Sequence, residues 1–208
     1  MNRPIQNIPA AVLFFIVCAC TNPLNAAPIN AADLVAAAKS QIGVTIKYDP
    51  HYQKIAYPNG DVPMERGVCT DVLIRAYRQL GFDLQQLVHD DMQIAWNQYP
   101  KIWGLKNTDT NIDHRRVPNL VAFFKRHGET IAASNDVKSY QPGDIVVWRL
   151  SSGVPHIGIV AGDKNWRGVP QMIHNIGAGA KIEDVLFDAK ITGHFRWRPM
   201  LPKPSSSN

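Results

Sequence analysis

The hydrophobic period of this chain changes once, at Gly128, and that change limits the fold to a few arrangements. Upstream, apolar residues recur at helical spacing; downstream they come in short β-branched runs. Val72, Leu73, Ala76, Tyr77 and Leu80 share one face of a helix predicted over 70–80, which Gly81 stops. Asn30 can cap a helix over 31–41, with Asp33 in its first turn, and Asp83 can cap another over 84–97. Pro118 starts a fourth, over 119–127. Past Gly128, the turn Pro142-Gly143-Asp144 leads into a strand over 145–150. The segments 156–161, 171–176 and 191–197 are three more strand candidates, with a Gly-Ala-Gly turn at 177–179. Residues 44–64 read as a tyrosine-rich loop. Helices first and an antiparallel sheet afterwards give an α+β fold. With 208 residues, 45% of them hydrophobic, one domain around one core is expected.

The first residues read as an address rather than as part of that core. A positive start at Arg3 precedes the apolar stretch Ile8 to Ala19, which is too short to span a bilayer and has no flanking stop-transfer charges. A secretory signal over 1–26 is expected, cut near Leu24-Asn25-Ala26-Ala27. Alternatively, Val17-Cys18-Ala19-Cys20 loosely resembles a lipobox, and Cys20 would then be lipidated and membrane-attached. Either route implies an exported, periplasmic domain over 27–198, with a disordered Pro-Ser-Ser-Ser tail over 199–208. The net charge of +5 is dispersed, with no basic tract of the kind that binds nucleic acid. Mild basicity suits an anionic polymer such as a cell wall, and a monomer is expected.

Processing would leave Cys69 as the one thiol able to do internal chemistry, so no internal disulfide can form with it. An unpaired cysteine in an oxidising compartment is either buried or used. Cys69 heads the helix predicted at 70–80, where free backbone amides and the positive end of the dipole are expected to lower its pKa and help bind an oxyanion. His156 opens a strand downstream and can act as general base and acid. His174, on the next strand, can orient His156 if the register puts both on one face. Taken singly, each of these residues is as well explained by packing. Together they form the Cys-His-His set of a thiol hydrolase.

The motifs around them carry a resemblance. Gly67-Val68-Cys69-Thr70-Asp71-Val72 running on to Tyr77-Arg78-Gln79-Leu80-Gly81 resembles the nucleophile helix of the NlpC-type cell-wall peptidases, a papain-like superfamily. Tyr140-Gln141-Pro142-Gly143-Asp144-Ile145-Val146 resembles their Pro-Gly-Asp strand entry, and Val154-Pro155-His156-Ile157-Gly158-Ile159-Val160 their histidine strand. Gln171-Met172-Ile173-His174-Asn175 is similar to the stretch supplying their third polar residue. Ser40 to Tyr48 resembles a stretch whose tyrosine lies near the thiol, which makes Tyr48 a candidate oxyanion or ordering residue. Within the superfamily the chain most resembles an exported bacterial domain-of-unknown-function family, in its Gly-Val-Cys-Thr-Asp, Asp-His-Arg-Arg-Val-Pro-Asn and His-Asn-Ile-Gly strings. The resemblance implies a papain-like fold, no cofactor, and cleavage of amide or γ-glutamyl bonds in peptidoglycan stem peptides.

The chain also departs from that pattern. Val68 and Asp71 stand around the thiol where ordinary members carry Asp-Cys-Ser-Gly; a carboxylate at Asp71 suits the helix but opposes a thiolate, and Asp71 is a candidate substrate-binding or oxyanion-site residue. The hairpin before His174 carries an insertion, Lys164-Asn165-Trp166-Arg167. A second insert, Asn107 to Arg116, offers Arg115 and Arg116 as bidentate ligands for a substrate carboxylate, or a polar loop capping the next helix. The pair Asp90-Asp91 reads as a solvated helix edge. Three rivals stand beside the hydrolase: catalytic zinc on Cys69, His156 and His174, though no closely spaced ligand pair supports it; a silent wall-binding scaffold; and a cysteine acyltransferase or amidase acting on lipid or protein.

Overall fold

A computed structural model describes residues 27–201; the expected leader, Cys20 and residues 202–208 lie outside them. The chain runs through α1 (Ala31–Lys39), β1 (Lys47–Tyr48), β2 (Arg66–Gly67), α2 (Cys69–Gln79), α3 (Leu84–Ile94) and α4 (Val117–His127). It then enters β3 (Glu129–Thr130), β4 (Ile145–Arg149), β5 (Pro155–Lys164), β6 (Pro170–Asn175), β7 (Ala180–Glu183) and β8 (Lys190–Arg196). These last six form one sheet in the order β3-β8-β4-β5-β6-β7, every pair antiparallel. The α+β arrangement is as expected, helices first and sheet afterwards.

Capping follows the sequence signals. Asn30 accepts the Ala32 N–H at 3.0 Å and Asp83 accepts the Gln85 N–H at 3.2 Å, each satisfying an orphan donor of a first turn. Two helices stop earlier than their periodicity suggests: α1 at Lys39, and α3 at Ile94, after which the chain tightens into a 3₁₀ turn over Trp96–Gln98. The expectation of a solvated Asp90-Asp91 edge holds for one residue only. Asp91 is buried, and Tyr99, Arg126 and His127 converge on its carboxylate.

The alternation of the strands sorts their side chains onto two faces. Ile145, Val147, Ile157, Ile159 and Ile173 meet Leu34, Leu73, Ile74, Leu120 and Phe124 of the helices in the main core. Val146, Trp148, Val160 and Met172 face the other way, under Tyr140 and Leu186. His156 and His174 fall on this second face by parity, at the end of the sheet nearest the start of α2. Residues 199–201, expected in the disordered tail, instead pair with 27–29: Ile29 donates to the Pro199 carbonyl at 3.0 Å and Leu201 to that of Ala27 at 2.9 Å.

Candidate functional site: a thiol at a helix start beside a histidine couple

The approach to Cys69 is built from short, specific contacts. Within the loop expected over 44–64, Lys47–Tyr48 instead pair in parallel with Arg66–Gly67, register Tyr48 to Gly67, so the tyrosine stands beside the chain that delivers the thiol. The Gly67 carbonyl takes the Asp49 N–H at 3.1 Å and the Asn175 side-chain amide at 3.1 Å, tying the loop, the helix start and β6 together. A side chain at Gly67 would put its Cβ 2.9 Å from Asp71 Oδ2 and 3.3 Å from Arg75, so only glycine fits there.

Asp71 occupies the third position of α2 and reaches back to the Val68 N–H at 2.7 Å, half of a capping box, since Val68 offers no side-chain acceptor in return. Arg115 grips the same carboxylate with both arms of its fork, Nε at 3.0 Å and Nη2 at 2.9 Å. Thr70 Oγ1 donates to the Arg115 carbonyl at 3.1 Å. The expectation that Arg115 binds a substrate carboxylate therefore fails: its guanidinium is buried and satisfied by Asp71. Asp71, in turn, is a clamp on the helix start rather than a substrate ligand. Arg116 also points elsewhere, lying over the Trp103 ring at 4.2 Å and within 3.4 Å of Asp113.

On the sheet, His156 Nε2 and His174 Nδ1 lie 2.8 Å apart, both rings buried. Trp148, directly across from His156 in the β4–β5 register, stacks on it with centroids 5.6 Å apart. Gly158 makes this packing possible. It stands where a Cβ would come within 3.0 Å of the Ile173 carbonyl, 3.1 Å of the His174 Cβ and 3.3 Å of the Trp148 ring. Gly158→Ala is expected to cost about 1–3 kcal/mol through overpacking, because the nearest atom is backbone and cannot swing away. A urea midpoint within error of the wild type would show that the sheet yields there freely.

The pairing of β5 with β6 runs up to Ile159–Ile173 and stops short of His156. Near that opening the Ile157 N–H lies close enough to the Cys69 sulfur to favour its ionised form. The thiol is thus beside the neighbour of His156, and it belongs to the same apolar cluster as Ile157. His156 Nε2 is engaged with His174, which leaves Nδ1 as the uncommitted nitrogen of the His156 ring.

Burial decides the charges here, against the expectation of a lowered thiol pKa. Removal from water pushes Cys69 up to about 12, and the nearby Asp71 carboxylate adds to the rise. The N–H groups of Ile157, Thr70 and Cys69 pull the other way, as the helix-start argument requires, but they do not win. Burial likewise holds His156 down to about 4, with His174 adding to the effect. Tyr48 is pushed up to about 12 by desolvation and by the Cys69 and Asp71 charges, with Arg115 opposing, so its hydroxyl is a neutral donor. The resting site is a neutral thiol, a neutral imidazole and a phenol, not a thiolate–imidazolium pair.

Sequence comparison supplies the relatives. A family model described as a domain of unknown function, DUF1287, matches residues 35–197. The chain belongs to the DUF1287 family. It is 54% identical over 160 residues to the uncharacterized protein YijF of Escherichia coli (strain K12), covering 77% of this chain and 78% of that one. Among solved structures it is similar to NlpC1 from Trichomonas vaginalis, at a TM-score of 0.43 and 17% identity. That match covers 82% of this chain and 46% of the other, so the DUF1287 chain spans less than half of that protein.

In this DUF1287 domain the structure brings Cys69, Tyr48, Asp71 and Arg115 to one helix start, with His156 and His174 on the adjoining strands, and leaves Arg116 outside. Sequence reasoning missed Trp148, whose alternation with Val147 already put it on the histidine face. It also missed β7, a four-residue strand hidden behind the Gly-Ala-Gly turn. A cavity of about 720 Å³ opens over that face, lined by His156, His174, Trp148 and Glu183. No helix among the described residues is long and apolar enough to cross a membrane, and no group of three or more His, Cys, Asp or Glu side chains there is placed to hold a metal ion.

Proposed function

We propose that this chain is an exported cysteine amidohydrolase or endopeptidase of papain-like build, acting on amide or γ-glutamyl bonds of peptidoglycan stem peptides. The observation that carries the reading is the 2.8 Å His156–His174 couple, buried under Trp148 beside a thiol that heads a helix. Wall context rests on the family resemblance of the motifs and on the leader-like start of the sequence.

The chemistry follows from the neutral resting state. As the Cys69 sulfur bonds to the substrate carbonyl carbon, its proton passes to His156 Nδ1, and the carbonyl oxygen becomes an alkoxide. On this reading the N–H groups of the first turn of α2 and the neutral Tyr48 hydroxyl are the donors assigned to that oxygen. Collapse breaks the C–N bond, and the leaving amine takes the proton from His156. Water then delivers its oxygen to the thioester and a proton to His156, and the sulfur leaves as the thiol.

Burial of Cys69 also favours a second reading, a silent wall-binding scaffold of the same fold. Slow alkylation by iodoacetamide near neutral pH is expected on either reading, because the free thiol is protonated, so labelling alone does not separate them. Digestion does. Muropeptides incubated with the mature protein and with Cys69→Ala, read by mass spectrometry, are expected to yield products only with the intact thiol. Absence of new masses from both proteins across the substrates of the wall would favour the scaffold, and products from both would remove Cys69 from the chemistry.

A further inference from the structure

Resting on the hydrolase reading, we propose that Glu183 is a positioning residue that fixes the tautomer of the histidine couple. The positions of two protons on two rings decide the couple. For His156 to accept the thiol proton, its Nδ1 must be bare and its Nε2 must carry the hydrogen. That hydrogen points to His174 Nδ1, 2.8 Å away, which must therefore be the acceptor. A neutral His174 then has its one hydrogen on Nε2. The whole couple is set by what stands in front of that last atom.

What stands there is Glu183. Its Oε2 lies 3.0 Å from His174 Nε2, off the axis of the ring N–H, so the contact is close without being an aligned hydrogen bond. Among the described residues His174 Nε2 is a buried ring nitrogen with no other partner. Its ring is 2% exposed and borders the 720 Å³ cavity, which Glu183, with its side chain 38% exposed, also lines. Cross-strand geometry supports the approach: β7 pairs with β6 at Met172–Glu183 and His174–Lys181, so Glu183 is the diagonal neighbour of His174. A carboxylate accepts and cannot donate, so it selects the Nε2–H form and rejects the alternative. In the opposite tautomer the hydrogen on His174 Nδ1 would face His156 Nε2, driving the hydrogen of His156 onto Nδ1 and blocking proton transfer from Cys69.

Six titratable or charged groups surround His174: His156 on β5, Lys181 and Glu183 on β7, and Arg149, Asp188 and Lys190 around the cavity. Burial lowers His174 below the ordinary histidine value, Glu183 raises it and Lys181 lowers it. Removing the carboxylate leaves burial and Lys181 unopposed.

The test uses the ring nitrogens themselves. In ¹⁵N-histidine-labelled protein, the His174 shifts are expected to report Nε2–H in the wild type and a mixed or reversed tautomer in Glu183→Ala, with a lower His174 pKa. Glu183→Gln, which keeps an oxygen acceptor, is expected to restore the Nε2–H form in part without restoring the pKa. The same spectra on Cys69→Ala need no turnover, so this inference can fail or hold whatever becomes of the hydrolase reading. Where muropeptide cleavage is measured, Glu183→Ala is expected to lower kcat on the order of tenfold with KM little changed, in line with carboxylates placed behind histidines elsewhere. An unaltered tautomer and His174 pKa in Glu183→Ala would overturn the assignment.

Discussion

Replacing Arg115 with methionine is expected to lower the stability of this protein by about 3–5 kcal/mol at neutral pH. The loss comes from what remains behind. Asp71 is 2% exposed, and without the fork of Arg115 its carboxylate keeps only the Val68 N–H at 2.7 Å as a partner. A buried charge stripped of its counter-ion costs far more than the pair contributes when intact, because water cannot reach it to compensate. Removing the charge as well therefore recovers part of the loss. Arg115→Met combined with Asp71→Asn is expected to be more stable than Arg115→Met alone, a non-additivity that identifies the pair as the source. Urea unfolding followed by tryptophan fluorescence measures both, with an unchanged m-value as the sign that the native state is otherwise intact. A loss below about 1 kcal/mol, in the range of exposed pairs, would show that the clamp is hydrated after all.

That clamp also shows what was legible in the sequence and what was not. Local signals carried most of the elements. The apolar face at Val72, Leu73, Ala76 and Tyr77 predicted a helix over 70–80, and α2 runs one residue earlier at both ends because Asp71, not Cys69, anchors the first turn. The strands at 145–150, 156–161, 171–176 and 191–197 were readable for the same reason, since alternation and β-branching are local. β5 extends past its apolar run, into Gly162 to Lys164, because a hairpin arm needs no buried side chains to keep its ladder.

Partners distant in sequence were not readable. Arg115 and Asp71 are separated by 44 positions, and nothing in either neighbourhood names the other. Arg115 therefore read as a free cation and Asp71 as an isolated anion opposing the thiol. The couple of His156 and His174 was readable only because both lie on predicted neighbouring strands, where register can be guessed. Burial is illegible in the sequence for the same reason as the clamp. A helix start lowers a thiol pKa only to the extent that water or charge also reaches it, and the depth of Cys69 depends on β1, β2 and the opening between β5 and β6, which are long-range features.

Stability is expected to fall as the pH drops from about 6.5 to about 4, a decline that begins above the range in which ordinary carboxylates titrate. His114 and His156 are both held at about 4 by burial, against an ordinary value of 6.5. A base whose folded pKa is depressed favours the unfolded chain wherever that chain is protonated and the fold is not. Its contribution is therefore complete above 6.5 and is lost as the pH falls towards 4. A depression from 6.5 to about 4 corresponds to about 3 kcal/mol for each histidine, and the two together are a large share of the roughly 5–15 kcal/mol that holds a domain folded. His174, also lowered, acts in the same sense. Asp113 acts in the opposite one, because burial raises its carboxyl, and it softens the lower end of the slope. Asp91, held near 2 despite burial by Arg126, Tyr99 and His127, contributes in a separate window below about 4. Urea midpoints at half-unit intervals from pH 7.5 to 4.5 should therefore decline steadily. His114→Gln should make that decline shallower, since His114 Nδ1 is buried with no partner and the substitution breaks no bond there. A flat profile between pH 6.5 and 4.5 in the wild type would mean that both rings are open to water, and the neutral resting state of the site would fall with it.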